Sequence, residues 1–242
     1  MKTPRFTFNG YIDILKSLKD AGYIISSFRN VVACPSPCAI IRHDVDISLG
    51  KAVEIAKLEE EESVSATYFV MLSSAFYNIM DKENEAHLKT LIEKGHEIGL
   101  HFDISKYSDC DEARLEYSIL REIDILSMIA GTNITSVSWH IPAKKYLGRD
   151  LKFLNDRHIL NAYDPMFFNY FKYLSDSSMH WRDNPYDFID AEKNPCIQVL
   201  MHPIWYSQNI ELDAYNIIRN QLSRKSYEAE LYLDTILPGR SA

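Results

Sequence analysis

Short apolar segments alternate with amphipathic segments along most of the chain, and this alternation restricts its fold more than any other feature. Two of the apolar segments, Ala39-Ile40-Ile41 and Ser65–Leu72, are rich in β-branched or aromatic residues and carry no polar face. Such segments are typical of strands that are covered on both sides in a parallel sheet. The alternation predicts an α/β fold, and the number of strand and helix units predicts closure into a barrel.

Five helices and seven strands are predicted from periodicity and breaker residues. The helices are predicted at 11–23, 51–61, 84–94, 111–130 and 211–223. The strands are predicted at 39–44, 65–72, 97–101, 136–139, 159–163, 171–174 and 197–201. With 242 residues, 46% of them hydrophobic, and no linker or repeat, we expect a single domain over residues 1–242.

The charge and the apolar pattern limit the classes of partner. A net charge of −8 without a Lys/Arg cluster argues against a nucleic-acid partner. No apolar run approaches the ~20 residues of a membrane-spanning helix, and the N-terminus lacks the apolar core of a signal peptide. We therefore expect a cytoplasmic protein without stable membrane insertion, whose four cysteines are reduced. The oligomeric state stays open.

Acidic and imidazole side chains follow six of the predicted strands at the point where each strand ends. They are His43, Asp44 and Asp46 after the first strand, then His101 with Asp103, His140, Asp164, Asp176 and His202. In a parallel barrel the carboxyl ends of the strands meet on one face, which is where active sites lie. The pattern predicts one site built from several strand ends.

The alternation of side chains along a strand places Asp44 and Asp46 on the same face. Two neighbouring carboxylates repel each other, so a cation must compensate them, either a metal ion or the guanidinium of Arg42 or Arg182. The alternative is an ion-pair network that closes the top of the barrel without binding a ligand.

The same alternation of side chains applies to the third predicted strand. His101 and Asp103 share a face, whereas His96 lies an odd number of positions from His101 and faces the other way. His96 is therefore not expected to be a ligand.

Imidazole together with carboxylate suits Zn, Fe, Mn, Co or Ni better than Ca. With Asp46 and His101 as metal ligands, Asp44 lies close enough to take a proton from a metal-activated water. His202, tuned by Asp176, is placed to protonate a leaving group. This is the layout of a metal-dependent hydrolase.

Six segments between residues 38 and 206 resemble, in order, the motifs of the polysaccharide deacetylase family, which is carbohydrate esterase family 4 with the NodB-homology domain. The segments are RHDVD, SATYFV, GHEIGLHFD, SWHIPA, YLSDSSMHWRD and VLMHPIWY. Their residue sequences are most similar to those of a divergent branch of the family that is found with bacterial surface-polysaccharide and O-antigen biosynthesis. The resemblance implies a distorted (β/α)7 barrel of mostly parallel strands that removes acetyl groups from sugars with a divalent metal ion, zinc being favoured over Fe, Mn, Co and Ni.

The resemblance also implies roles for individual residues. Asp44 matches the catalytic base of the family's first motif, and Asp46 matches the metal-binding carboxylate. His101 matches the first metal histidine of the second motif. His202 matches the general acid, and Asp176 roughly matches the acidic residue that tunes it.

One position departs from the family pattern. The second motif normally supplies two histidines four residues apart, but the residue four after His101 is Ser105. Two substitutes for the missing metal ligand are available, Asp103 and His140. We favour His140, because it keeps a set of two histidines and one carboxylate.

The choice of His140 has a consequence for the catalytic base. His140 stands where the family usually carries an arginine near that base, so the arginine must come from elsewhere, and Arg42 and Arg182 are the candidates. Arg182 is placed with the catalytic residues on this ground. Trp181 and Trp205 are expected to face the substrate cleft, because aromatic faces suit sugar rings.

The expected function is that of a metal-dependent carbohydrate deacetylase, a hydrolase acting on a carbon–nitrogen bond other than a peptide bond. Its substrate would be an acetamido sugar, as a nucleotide- or lipid-linked intermediate or an oligosaccharide, in O-antigen biosynthesis. The alternative, motivated by Ser105, is an inactive barrel that binds a sugar or a biosynthetic partner. A different metal hydrolase on the same barrel is a third option. The sugar and the choice between N- and O-acetyl stay open.

Overall fold

One sheet of parallel strand pairs forms the centre of the molecule. The computed structural model describes residues 2–31, 34–107, 109–209 and 212–237. Within them the strands are β1 (Ile24–Ser26), β2 (Cys38–Val45), β3 (Thr67–Val70), β4 (Glu97–Phe102), β5 (Ser136–Trp139), β6 (Leu160–Asn161), β7 (Lys172–Ser175) and β8 (Cys196–Met201). The helices are α1 (Phe8–Asp20), α2 (Phe28–Val31), α3 (Leu49–Glu61), α4 (Lys82–Glu93), α5 (Glu112–Ala130), α6 (Lys152–Asn155) and α7 (Ala214–Ile236).

The strand order makes a curled half-barrel. Seven strands follow one another in the order β6-β5-β4-β3-β2-β8-β7, and β1 adds to the start of β2. Among the described residues every strand pair is parallel, and no pairing joins β6 to β7. Helices surround the sheet. The predicted distorted (β/α)7 barrel is confirmed.

All seven predicted strands are present, and four of the five predicted helices begin and end within three residues of the prediction. The prediction for the last helix was wrong in length, because α7 continues to Ile236 instead of ending at 223. Residue 211, its predicted start, lies outside the described residues. The structure adds β1, which has only three residues and therefore shows no recognisable period in the sequence.

The central strand β2 is buried along its whole length between β3 and β8. Its β-branched residues Ile40 and Ile41 are fully buried on opposite faces, one in the barrel interior and one under the helices. The interior is tightly filled where β3 meets β4. A Cβ added at Gly99 would overlap the ring of Phe69 and approach Oγ of Ser136 to 2.7 Å, so only glycine fits there.

A buried polar cluster lies between β2 and the helices. The Glu59 carboxylate on α3 accepts hydrogen bonds from the hydroxyls of Tyr11 (2.5 Å) and Tyr68, and Nε2 of His43 lies 2.9 Å from it. Burial alone would raise the pKa of Glu59, but His43 and the other partners lower it. His96 also lies on this side of the sheet, 3.6 Å from Glu59. The alternation of side chains in the sequence predicts this, because it places His96 on the face opposite to His101. The cluster ties α1, β2, α3 and β3 together.

The search for membrane-crossing segments gives no candidate: none of the helices in the described residues combines the length and the apolar character that crossing a bilayer requires.

The Glu59 cluster predicts a large difference between two glutamates of α3. We expect Glu59→Ala to lower the free energy of unfolding by about 3–5 kcal/mol, because it leaves buried partners without their anion. Glu61→Ala, two residues away on the exposed side of the helix, is the matched control and should change it by less than about 0.5 kcal/mol. Denaturant titration followed by circular dichroism measures both, and equal midpoints for the two variants would contradict the prediction.

Candidate active site

The carboxyl ends of β2, β4, β5 and β8 open into one cleft of about 810 Å³. Acidic and imidazole groups from these strand ends line it, as the sequence pattern predicts. They are Asp44, Asp46, His101, Asp103, His140 and His202. Asp164 and His43 are exceptions. Asp164 follows the two-residue strand β6 and accepts a hydrogen bond from the backbone of Met166 in a turn, and His43 faces the helices, where it meets Glu59.

Three side chains converge at the centre of the cleft. One ligand atom each from Asp46, His101 and His140 lies within 4.8 Å of the other two. Oδ1 of Asp46 is 3.0 Å from Nε2 of His101 and 3.3 Å from Nδ1 of His140, and the two ring nitrogens are 3.3 Å apart. Oδ1 of Asp46 is buried, yet within the described residues no hydrogen bond of acceptable geometry reaches it. A buried carboxylate oxygen in this position fits a cation.

The neighbouring strand orients His101. Nδ1 of His101 lies 2.7 Å from Oγ of Ser138, its register partner on β5, which leaves Nε2 directed at Asp46. Such outer contacts orient histidine ligands in metal sites. His140 is held by its backbone, whose N–H donates to Phe102 O at 2.9 Å. The next residue, Ile141, has φ of 47°, a strained conformation for a β-branched residue that directly follows a site residue.

The donor set of two imidazoles and one carboxylate fits Zn, Fe, Mn, Co or Ni. The competing third ligand is placed differently. Asp103 accepts a hydrogen bond from Oγ of Ser105 at 2.6 Å and lies 3.5 Å from Nζ of Lys106. It lines the cleft but does not belong to the converging group, so Asp46, His101 and His140 are the residues that would hold a metal ion.

Arg42 fixes the position of Asp44. Its Nε and Nη2 donate to the two carboxylate oxygens at 2.9 and 2.8 Å, and Nη1 donates to Oε1 of Gln198 at 3.2 Å. Burial alone would raise the pKa of Asp44, but Arg42 lowers it, so the group is a carboxylate at neutral pH. The ring of Tyr163 covers the guanidinium at 4.5 Å. Of the two predicted arginines, Arg42 makes this contact, whereas the exposed Arg182 lines the cleft away from Asp44.

His202 is held by Asp176. Nδ1 of His202 lies 2.6 Å from Oδ1 of Asp176, which also accepts from the His202 backbone N–H at 3.1 Å. Oδ2 of Asp176 accepts from the Tyr206 hydroxyl at 3.1 Å. Burial lowers the pKa of His202, but the Asp176 carboxylate outweighs this and raises it to about 9. The other ring nitrogen, Nε2, is 3.7 Å from Oδ2 of Asp46. His202 is therefore a cation at neutral pH beside the converging group.

Of the two tryptophans expected in the cleft, the structure places only one there. Trp205 lines the cleft, but Trp181 is buried in the hydrophobic core, so its prediction as a cleft residue was wrong. Sequence reasoning missed Ser138 and Tyr206, which orient His101 and Asp176. Ser138 carries a weak signal, because it lies two residues before His140 and so shares its side of β5.

The known proteins that are similar to this chain are found among solved structures. No model of a known family matches the sequence, and no curated protein matches it. Solved structures do match. A family 4 carbohydrate esterase from Bacillus anthracis is 14% identical with a TM-score of 0.48, over 88% of this chain and 86% of that one. A family 4 carbohydrate esterase from Streptomyces lividans, in complex with acetate, is 12% identical with a TM-score of 0.47, over 77% and 88%.

A CE4 family pseudoenzyme from Bacillus anthracis is also among the matching structures. It is 12% identical with a TM-score of 0.45, and the match covers 78% of this chain but only 60% of that one. All three structures are named as members of carbohydrate esterase family 4. At 12 to 14% identity, the chemistry of this chain has to come from its own residues.

The contact between Asp176 and His202 predicts a measurable change in protonation. In metal-free protein we expect Asp176→Asn to lower the pKa of His202 from its value of about 9, because burial lowers it and the largest compensating anion is lost, which leaves only the weaker effects of Asp46 and Asp44. Titration of the imidazole ¹⁵N signals by NMR measures it. Asp103→Asn removes another cleft carboxylate and is the control that should leave His202 near its original pKa. An unchanged His202 titration in Asp176→Asn would refute the assignment.

Proposed function

We propose that this protein is a metal-dependent hydrolase that removes the acetyl group from an acetamido sugar. The observation that carries the proposal is the convergence of Asp46, His101 and His140 beside two further groups whose protonation states are opposite, the carboxylate Asp44 and the cation His202. An acyl-transfer hydrolysis needs a base for water and an acid for the leaving group, and these two residues supply them.

A divalent ion held by Asp46, His101 and His140 would polarise the acetyl carbonyl and make a water more acidic. Zinc suits this set best, and Fe, Mn, Co and Ni are alternatives. Burial lowers the pKa of His140, but the neighbouring Asp46 carboxylate raises it overall. Since a metal ligand must be a neutral imidazole, a falling pH would oppose binding of the ion at His140.

Asp44 acts as the general base in this proposal. Both of its oxygens accept hydrogen bonds from Arg42, which fixes the carboxylate plane and leaves further lone pairs for a water in the cleft. The low pKa that Arg42 imposes makes Asp44 a weaker base. The contact with Arg42 compensates by fixing the orientation of Asp44, because a fixed carboxylate holds the water at one angle to the carbonyl.

His202 acts as the general acid. Its Nδ1 is engaged by Asp176, so Nε2 carries the proton that faces the cleft. An amine leaves a tetrahedral carbon readily only when it is protonated, and an acid with a pKa of about 9 is charged at neutral pH. Asp176 thus positions His202 and keeps it ready to donate.

We place the substrate among nucleotide- or lipid-linked sugar intermediates or oligosaccharides of surface-polysaccharide (O-antigen) biosynthesis, in the cytoplasm. The residue sequences of the motifs, which resemble those of a branch found with surface-polysaccharide biosynthesis, support this pathway. The rings of Tyr163, Phe168, Tyr173 and Trp205 line the cleft and suit a sugar face. All four cysteines are free thiols, which fits a reducing compartment. Arg182, at the cleft edge, is placed to contact the substrate.

Activity is tested with metal-loaded protein and a panel of UDP-N-acetylglucosamine, chitooligosaccharides and acetylated xylooligosaccharides, with released acetate as the readout. We expect Asp44→Asn and His202→Ala each to lower the rate by about 10²- to 10⁴-fold. Asp164→Asn, at a strand end outside the cleft, should keep the wild-type rate. Wild-type rates in the first two variants would refute the roles, and no acetate from wild type with any substrate would favour the binding-only barrel.

Metal content tests the ligand set directly. We expect about one equivalent of a divalent transition metal per chain in wild type, lost in Asp46→Ala, His101→Ala and His140→Ala, because each removes one of three ligands. Elemental mass spectrometry of protein purified without chelator measures it. Asp103→Ala is the matched control that should retain metal. Loss in Asp103→Ala with retention in His140→Ala would move the third ligand to Asp103.

A further inference from the structure

Within the described residues, three acidic side chains line the cleft, and each of them lies beside a basic group. Asp44 is paired with Arg42 at 2.8 Å, and Asp103 lies 3.5 Å from Nζ of Lys106. Asp46 lies among the two imidazoles of the converging group. None of these acids is therefore left to pair with a further cation.

Arg182 is a charged side chain of the cleft for which the described part of the chain offers no partner. It is exposed and lines the cleft, and no ion pair or hydrogen bond from the described residues reaches its guanidinium. The neighbouring Asp183 is already engaged, because Nζ of Lys172 holds its carboxylate at 2.6 Å. A guanidinium that lines a ligand cleft without an acid beside it is available to an anionic ligand.

Hydroxyl groups lie on the same stretch of chain, between the end of β7 and Arg182. Ser175, Ser177 and Ser178 all line the cleft, and together with Arg182 they form what we call the arginine wall. Oγ of Ser175 and Oγ of Ser177 are 2.7 Å apart, and Ser178 is exposed. Guanidinium and hydroxyl groups are the side-chain donors that commonly contact phosphate oxygens.

The position of the arginine wall determines which part of a substrate it meets. Strand β8 ends beside His202 and pairs with β2 on one side and with β7 on the other. The metal-binding group lies at the ends of β2, β4 and β5, whereas the arginine wall follows β7. In the proposed function His202 protonates the departing amine, so the sugar that carries this amine extends from His202 toward β7. Substituents of that sugar meet the arginine wall.

Aromatic rings on this side of the cleft support the same placement of the sugar. Tyr173 belongs to β7, and the centroid of its ring is 5.2 Å from that of Phe168, which precedes β7. Trp205 follows β8 and lines the cleft as well. Because aromatic faces suit sugar rings, the sugar has its contact surface beside β7 and β8.

We propose that the arginine wall binds a phosphate group carried by the sugar of the substrate, and that Arg182 makes the protein selective for glycosyl phosphates over neutral oligosaccharides. This inference rests on the proposed function, because the direction of the sugar follows from the role of His202. The guanidinium binds two phosphate oxygens side by side, and the hydroxyls of Ser177 and Ser178 donate to the remaining oxygen. Nucleotide-linked and lipid-linked sugars both carry such a phosphate.

Calorimetric titration of the metal-loaded protein with product analogues tests the phosphate contact, because these ligands bind without being hydrolysed. We expect glucosamine-1-phosphate to bind about 10- to 100-fold more tightly than methyl glucosaminide, which is the effect of hydrogen bonds between charged groups. Arg182→Gln should remove this preference and leave the affinity for methyl glucosaminide unchanged. Arg121→Gln, an exposed arginine of α5 outside the cleft, is the matched control and should keep the preference. Equal thermal midpoints show that both variants are folded.

Two further ligands identify the source of the anion. Tighter binding of UDP-glucosamine than of glucosamine-1-phosphate, with both affinities lowered by Arg182→Gln, would support a nucleotide-linked sugar. An affinity no higher than that of glucosamine-1-phosphate would support recognition of the phosphate alone, as a lipid-linked sugar requires. The proposal is overturned if glucosamine-1-phosphate and methyl glucosaminide bind equally, if Arg182→Gln keeps the preference, or if glucosaminuronic acid, which carries a carboxylate, is the only anion that binds more tightly.

Binding and activity together separate this inference from the proposed function. Equal rates of acetate release from N-acetylglucosamine-1-phosphate and methyl N-acetylglucosaminide, unchanged in Arg182→Gln, would overturn the inference and leave the proposed function intact. A phosphate preference in binding that depends on Arg182, without acetate release from any substrate, would contradict the proposed function and support the phosphate contact.

Discussion

The buried pair of Arg42 and Asp44 is the interaction on which the site depends. A guanidinium and a carboxylate two residues apart on the same face of β2 neutralise each other in the interior, and removing either partner of such a pair costs about 3–5 kcal/mol. Both residues belong to β2, which its ladders to β3 and β8 hold at the centre of the sheet. Since Nη1 of Arg42 also reaches Gln198 on β8, it fixes the neighbouring strand that ends at His202.

The two faces of β2 serve different purposes because successive side chains alternate. Arg42 and Asp44 face the interior and the cleft, whereas His43 faces the helices and meets Glu59. On both sides a buried acid is matched by donors, which is what the low interior dielectric requires. Oδ1 of Asp46 is different, because within the described residues it is buried without a hydrogen bond. Its neighbours are the imidazoles of His101 and His140, which are groups that bind metal ions. A bound cation would satisfy it.

Much of the fold and most of the site could be predicted from the sequence because both follow from strand periodicity. The period of two and the rule that barrel strands converge at their carboxyl ends placed Asp46, His101 and His140 at one edge of the sheet. The resemblance to the deacetylase motifs, with Ser105 in place of the usual histidine, then selected His140 as the third ligand. The choice of Arg42 over Arg182 was not predictable, because it depends on which groups lie across from β2 in space. Asp164 was grouped wrongly, since its strand is only two residues long and ends in a turn.

The pairing of β2 with β8 brings Asp44 and His202 into the same cleft. Arg42 and Gln198 touch across a separation of 156 residues, whereas the contacts of Glu59 come from residues between 11 and 96. Closing the longer loop costs more chain entropy. The proposed base Asp44 and the proposed acid His202 come from strands that are far apart in the sequence, so they meet only in the completely folded chain.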